Sequence, residues 1–535
     1  MTKVLIRFLL LIGAIGLVGA CIAAEVPAGV VLHAKQEFVR NNGSEPETLD
    51  PALVESVVAS AIVVDLFEGL TSINTSGKVV AGVAESWRQV DATTWVFNLR
   101  RTAVFSNGDP VTAADFVYAW RRYLDPKTAA YATTNASFLL NGRQVNEGKL
   151  PPAELGVKAL DAYTLQVKTA KRVPFLPELM ASPPFSPVSQ KIIEKFGKDW
   201  TKPGNHVGNG AFTLKEWQVN SKIVLERNPR YWAAGSVVLT KVTYLTIEDQ
   251  SADIKLFQAG GNDMVDQLPA GTYEYYKKTH PRDVKNGTML GLRFYALNHK
   301  VPLLQDVRVR KALSMVIDRE VLASKVTADG QIPVYGLVVR GIGGADLTRY
   351  EWADWPMAQK VEAARKLLAE AGVKPGTKLQ FTYNTSEYHK KVAIFTASEW
   401  KTKLGLDVEL DSMEFKVLIK KRHDGDYQVA RHGWMAEYND ITNFLALVQC
   451  DSDTNDSKSC NRKGEELIQE GNNAADPARR KALLTQAAKL IMDDYPIIPL
   501  LQYTMPRLVK SYVGGYFESN PIDRARSQDF YIIRH

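Results

Sequence analysis

Cysteine is scarce in this chain, three residues in 535, and histidine is nearly as sparse at eight. No two histidines stand at metal-ligand spacing. His423 and His432 are nine apart with no cysteine beside them, so the common zinc patterns are absent. There is no Gly-x-Ser-x-Gly elbow, no His-Glu-x-x-His, no Walker-type phosphate loop and no Cys-x-x-Cys, which removes the familiar hydrolase, metalloprotease, nucleotide-binding and thiol-redox signatures. Long Lys/Arg runs are missing as well, and a net charge of +7 is mild for this length, so nucleic acid is not an expected partner. Past the first residues, no apolar run is long enough to cross a bilayer. No catalytic site, metal or cofactor is expected.

What is present begins at the N-terminus. Lys3 and Arg7 precede an uncharged apolar run, Phe8 to Val18, followed by small residues Gly19, Ala20, Ala23 and Ala24. This is the pattern of a secretory signal peptide, assigned to residues 1–23, and it predicts export. Val18-Gly19-Ala20-Cys21 also matches a lipoprotein box, so a lipid anchor at Cys21 is the alternative to cleavage after Ala23. The absence of a polar tether after Ala24 favours the soluble, periplasmic form. Removing Lys3 and Arg7 lowers the net charge from +7 to +5. The remaining chain of about 510 residues is long enough for two or three domains.

Helical and strand patterns are mixed throughout, which predicts an α/β protein with several sheets. Asp306 to Val326 reads as one amphipathic helix with Val309, Leu313, Val316 and Ile317 on its apolar face. Met357 to Ala371 reads as a second, stopped by Gly372, and Pro477 to Asp494 as a third, capped by Asp476. Thr94–Leu99, Ile223–Leu225 and Gly291–Asn298 read as strands, and Ser106-Asn107-Gly108-Asp109-Pro110 as a turn. The two cysteines of the exported chain, Cys450 and Cys460, predict one disulfide closing a small polar loop. Between them Asp451, Asp453 and Asn455 imitate the start of a calcium loop. Asp456 stands where such a loop needs Gly and Arg462 where it needs Glu, so the segment reads as a solvated turn.

The segment Arg431-His432-Gly433-Trp434-Met435-Ala436-Glu437-Tyr438-Asn439-Asp440 is the richest in chemistry. A guanidinium and a carboxylate at opposite ends of an aromatic-walled cleft suit a zwitterion such as a free peptide. Around it, a series of blocks is recognisable: Leu49-Asp50-Pro51, Asp65-Leu66-Phe67-Glu68-Gly69-Leu70, Gly82-Val83-Ala84-Glu85-Ser86-Trp87, Asp115-Phe116-Val117-Tyr118, Asn209-Gly210-Ala211-Phe212, Asp306-Val307-Arg308-Val309-Arg310 and Tyr383-Asn384-Thr385-Ser386. With these blocks in this order, nearly the whole exported chain resembles the periplasmic oligopeptide-binding proteins of bacterial ABC importers.

The resemblance implies a two-lobed periplasmic-binding-protein fold of the large three-domain type, closing on its ligand by a hinge. It implies a discontinuous domain I of residues 24–67, 190–293 and 505–535, a domain II of residues 68–189, and a second lobe, domain III, of residues 294–504. The implied function is capture of short peptides, three to five residues with little side-chain preference, by a monomer that delivers them to membrane permease subunits. A murein-peptide-binding relative is the alternative ligand class, and a secreted peptide hydrolase the alternative of another class. By the same resemblance Glu437, where an aspartate is usual, holds the ligand's α-amino group. Arg431, Lys325 and His389 meet its carboxylate at stepped depths, with His389 either charged or neutral. Glu55, Ser56 and Val57 form one wall for the ligand backbone, and Gly433 and Met435 the other. Trp434, Tyr131 and Tyr503 match pocket residues, Phe415 stands where a tryptophan is usual, and Arg422 matches a further cleft cation.

Overall fold

The computed structural model describes residues 24, 26–130, 138–269, 271–413, 415–450, 452, 454–517, 520–523 and 525–535. The signal segment, Cys21 and Tyr131 lie outside these residues. Among them, no helix is long and apolar enough to cross a membrane.

Three main sheets organise the chain. One joins Glu37–Asn41, Lys241–Leu245, Lys222–Arg227 and Phe212–Gln218, with its first pair parallel and the rest antiparallel. A second, wholly antiparallel, runs Ala84–Gln89, Thr94–Leu99, Thr164–Lys168, Val157–Asp161. The third has six strands in the order Ile332–Pro333, Ile497–Leu508, Val284–Leu297, Val429–Met435, Lys378–Asn384, Asp407–Met413. The first two share one large apolar core, which includes Phe38, Leu66, Phe97, Phe116 and Trp120. The third packs its own core with Leu292, Tyr295, Trp352, Phe381 and Trp400. Two large cores in one mixed α/β chain make two lobes, because each sheet buries its apolar faces within its own lobe.

Two long antiparallel strands, Val284–Leu297 and Ile497–Leu508, run between the two regions. One end of the pair, at Leu508, belongs to a small apolar cluster with Ile254 and Phe257, and the other, at Leu297 and Ile497, lies in the second large core. Their register slips between Thr288 and Leu292 and again between Arg293 and Phe294. Irregular pairing re-aims side chains locally, and the residues around these slips border the site described below.

The helix expected over Asp306–Val326 is broken. Asp306 caps an α-helix over Val307–Met315, and the chain then turns before Arg319–Val321 and a wide turn over Leu322–Thr327. The interruption follows from Arg319, which is fully buried. Its guanidinium donates to the carbonyls of Ser314, Ile317 and Pro499 and to the Ser314 hydroxyl, at 2.8–3.2 Å. A buried cation needs these acceptors, and freeing the Ser314 and Ile317 carbonyls ends the regular helix. The other two helices form over Met357–Glu370 and Pro477–Met492. Gly372 adopts φ +74° after the first, and Asp476 accepts from Arg479 N at 2.8 Å at the start of the second.

Candidate functional site

A cavity of about 750 Å³ opens beside the crossing strands, within the size range of small-ligand sites. Glu55, Ser56 and Val57 line it from the first lobe, and His389, Arg431, Met435 and Glu437 from the second. Tyr503 and Arg293 on the crossing strands form part of its wall. The fold therefore brings together eight of the residues named from the sequence: Glu55, Ser56, Val57, His389, Arg431, Met435, Glu437 and Tyr503. Gly433 lies directly beneath one of them. A Cβ at Gly433 would sit 2.2 Å from the Tyr503 hydroxyl, so glycine is required for the close approach.

The strand Val429–Met435 supplies the central wall. It pairs with Val284–Leu297 along its whole length, but with Lys378–Asn384 only at Val429 and Ala430. From Arg431 onward, no described strand occupies its second edge. The opposite wall is fixed by Glu47, whose Oε1 accepts from the Glu55 and Ser56 N–H groups at 2.9 Å while its Oε2 accepts from the Ser56 hydroxyl at 2.5 Å. Burial alone would raise the Glu47 carboxyl, but these hydrogen bonds hold it below the ordinary glutamate range. Ser56 also caps the helix Val57–Leu66 through Ala59 N. The donors at 55 and 56 are thus already engaged within the protein.

His389 sits in the first turn of the helix Glu387–Leu404, capped by Ser386. Burial, with the Arg431 and Arg293 charges adding to it, lowers its pKa to about 3, so the imidazole is neutral at physiological pH. Of the two protonation states left open by the sequence, burial among these charges favours the uncharged one. Burial also lowers the Arg431 pKa, an effect opposed by Tyr503 and reinforced by Arg293 and Arg422. Glu437 is exposed at the cavity wall. Nearby, Tyr123 is held protonated, first by burial and then by the negative charge of Glu437.

Three of the expected residues stand elsewhere. Lys325 is exposed on the wide turn Leu322–Thr327 and does not line the cavity, because Leu322, Ala323 and Thr327 take the buried face. Arg422 is buried at 6% exposure with its Nε 3.4 Å from Asp456, whose carboxylate also lies 3.2 Å from His432 Nε2. Trp434 alternates to the sheet face opposite Gly433. Its indole donates to Asn443 at 2.6 Å and packs against the second core. Phe415 begins the helix Phe415–Asp424.

The loop between the cysteines departs from a solvated turn. Cys450 and Cys460 are disulfide-bonded, but Asn455, Asp456, Ser457 and Ser459 are buried. Asn455 bridges the Gln449 and Ser459 carbonyls at 2.8 Å, and Asp456 compensates the buried Arg422. Asp451 and Asp453 lie outside the described residues, and no cluster among those described could hold a metal ion.

Sequence reasoning missed two features. Arg293 lines the cavity; the signal was a lone cation inside the apolar run Gly291–Leu297. Tyr438, adjacent to Glu437, stacks on Phe175 with ring centroids 4.1 Å apart and planes 5° apart, and meets Phe138 edge-on at 6.1 Å. It thereby joins the core of the other lobe.

Comparison with known proteins agrees with this architecture. The model for bacterial extracellular solute-binding proteins, family 5 (middle), matches residues 78–456. The chain is 43% identical over 523 residues to the periplasmic oligopeptide-binding protein OppA of Escherichia coli K12, covering 96% of each chain. Among solved structures, Burkholderia pseudomallei OppA superposes with a TM-score of 0.80 at 47% identity, covering 94% of this chain and 100% of that one. The E. coli murein tripeptide binding protein MppA does so at 0.80 and 38%, with the same coverage.

Proposed function

Because the chain belongs to the family 5 bacterial extracellular solute-binding proteins, we propose that it is a periplasmic receptor that captures short peptides and hands them to the permease subunits of an ABC importer. The observation that carries this reading is the cavity wall itself. The open edge of Arg431–Met435 accepts an extended backbone by strand addition, which gives affinity without reading side chains. Glu437 at one end pairs with the ligand's α-amino group, and Arg431 at the other with its carboxylate. Binding occurs without bond cleavage, and the protein acts as a monomer.

Lobe organisation supports the same reading. Residues 24–67, 190–293 and 505–535 form domain I, residues 68–189 the inserted domain II, and residues 294–504 domain III. Two crossing strands with irregular register form the hinge, where few torsions need change for the lobes to close on a ligand. Closure reports occupancy to the importer through the altered outer surface. A γ-linked murein peptide carries an extra carboxylate, for which Arg422 would be the matching cation. The Arg422–Asp456 contact withdraws that cation from the cavity, so ordinary peptides are favoured.

The test is calorimetric titration of the refolded, ligand-stripped protein with trialanine and with murein tripeptide. Binding of trialanine supports the proposal. Binding of murein tripeptide alone moves the ligand class to cell-wall peptides, and mass-spectrometric detection of cleaved peptide would overturn the non-catalytic reading.

A further inference from the structure

Besides Arg431 the cavity lining holds two guanidiniums, Arg40 and Arg293; Arg40 donates to the Ala525 carbonyl at 3.2 Å, and Arg293 is the one for which the peptide reading so far has no use. In the antiparallel register Arg293 stands opposite Gly433, and directly paired residues share a face. Arg293 is therefore two positions from the Arg431 end and two from Met435, roughly 7 Å along the strand in either direction. Its guanidinium lies over the Tyr503 ring at 4.0 Å and the Tyr388 ring at 4.5 Å. Two aromatic contacts hold the plane of the cation and leave its edge donors for an in-plane acceptor. Nε is buried and has no hydrogen-bond partner, and among the described residues the guanidinium makes no ion pair within 4 Å. Asp329, also in the lining, acts on Arg293 electrostatically but accepts the Gly271 N–H at 2.8 Å and stays beyond ion-pair range.

A partly buried cation with idle donors is unfavourable unless something completes it. Arg431 and Arg40 add like charge to the same cavity and His389 is neutral there; Glu55, Asp329, Glu437 and Asp523 also line it, but Asp523 pairs with Arg507 at 2.6 Å and, among the described residues, none of the four lies within ion-pair range of Arg293. In the peptide reading the terminal carboxylate goes to Arg431, roughly 7 Å along the strand from Arg293, so Arg293 meets the interior of an extended ligand. We infer that Arg293 is a specificity determinant that receives the carboxylate of an interior side chain, so that acidic peptides are the preferred ligands. This rests on the peptide reading above and assigns a substrate class within it.

The experiment is titration of the ligand-stripped protein with Ala-Glu-Ala and Ala-Gln-Ala, and with both peptides amidated at the C-terminus. The expected result is that the glutamate peptide binds about tenfold more tightly, as one additional charge-assisted pair provides. Amidation should preserve that ratio, which separates a side-chain carboxylate from the terminal one. Arg293→Gln should bring the ratio to one, and Arg293→Lys, with charge but no planar stack, to an intermediate value. Equal affinity of the two peptides for the native protein overturns the inference. So does a ratio that survives in Arg293→Gln, or one that amidation abolishes. If Arg293→Gln fails to fold, the native ratio and the Arg293→Lys variant still decide. Failure of the native protein to bind either peptide would overturn the peptide reading itself.

Discussion

Glu437 is the residue on which the amine-anchor mechanism stands, and its contribution can be bounded from its surroundings. Opposite unit charges 4 Å apart attract by about 1 kcal/mol in bulk water and about 4 kcal/mol near a protein surface of lower effective dielectric. Glu437 is exposed, which argues for the lower figure, yet its field reaches the buried Tyr123, so the medium on that side is not water. An intermediate value of about 2 kcal/mol follows, or roughly 30-fold in Kd. Glu437→Ala should therefore weaken trialanine binding about 30-fold in calorimetric titration, while N-acetyl-trialanine, which has no amine charge, should bind the native protein and the variant equally weakly. The four affinities form a double-mutant cycle that isolates the carboxylate–ammonium interaction. A change of less than twofold for trialanine, or equal losses for both ligands, refutes the assignment. Glu437→Asp adds a check on position, because shortening the side chain by one methylene should alter trialanine affinity and leave the acetylated ligand unaffected.

Three further outcomes are expected. Arg480 makes two hydrogen bonds to the buried Asp440 at 2.7 and 2.9 Å, so Arg480→Met should destabilise the fold by about 3–5 kcal/mol in denaturant titration. Adding Asp440→Asn should recover much of that loss; simple additivity of the two costs would count against a coupled pair. Tyr438→Ala removes a ring that is 4% exposed and stacked on Phe175, for a loss of about 3–5 kcal/mol from the folded, lobe-docked state. Tyr438→Phe should fall within about 0.5 kcal/mol of native because the hydroxyl lies a long 3.4 Å from Thr442; comparable losses for both variants would place the effect on the hydroxyl. Glu178 titrates at about 7 in the fold, raised first by burial and further by Asp440, against the opposing pull of its own backbone N–H. A raised carboxyl contributes stability below its unfolded pKa, near 4.5, that is lost as pH rises through 7. Glu178→Gln should accordingly gain denaturant resistance over native at pH 8 but not at pH 4, and an offset independent of pH would contradict this.

Local signals carried much of the fold. Gly372 after Leu367–Glu370 and the Asp476–Pro477 start marked helix ends through backbone preferences that act over a few residues. The strand read over Gly291–Asn298 was legible from strand-like alternation, a local pattern of period two, and it falls within Val284–Leu297 but for its last residue. The break near Arg319 was not, because the carbonyls that solvate its charge include Pro499, 180 residues away. The site divides in the same manner. Arg431 and Gly433 lie on one strand and Glu437 two residues past its end, so their chemistry could be recognised together in the chain. Lys325, Arg422 and Trp434 carry suitable chemistry, but packing decides where each points. Leu322 and Thr327 turn Lys325 outward, Asp456 draws Arg422 inward, and strand alternation sends Trp434 to the far face. Residue type and local spacing were set by the sequence alone. Which cations face the cavity, the neutrality of His389 and the seating of Tyr438 in the other lobe were decided only by the tertiary structure. They depend on burial and on partners distant in the chain, and neither is encoded in any short window.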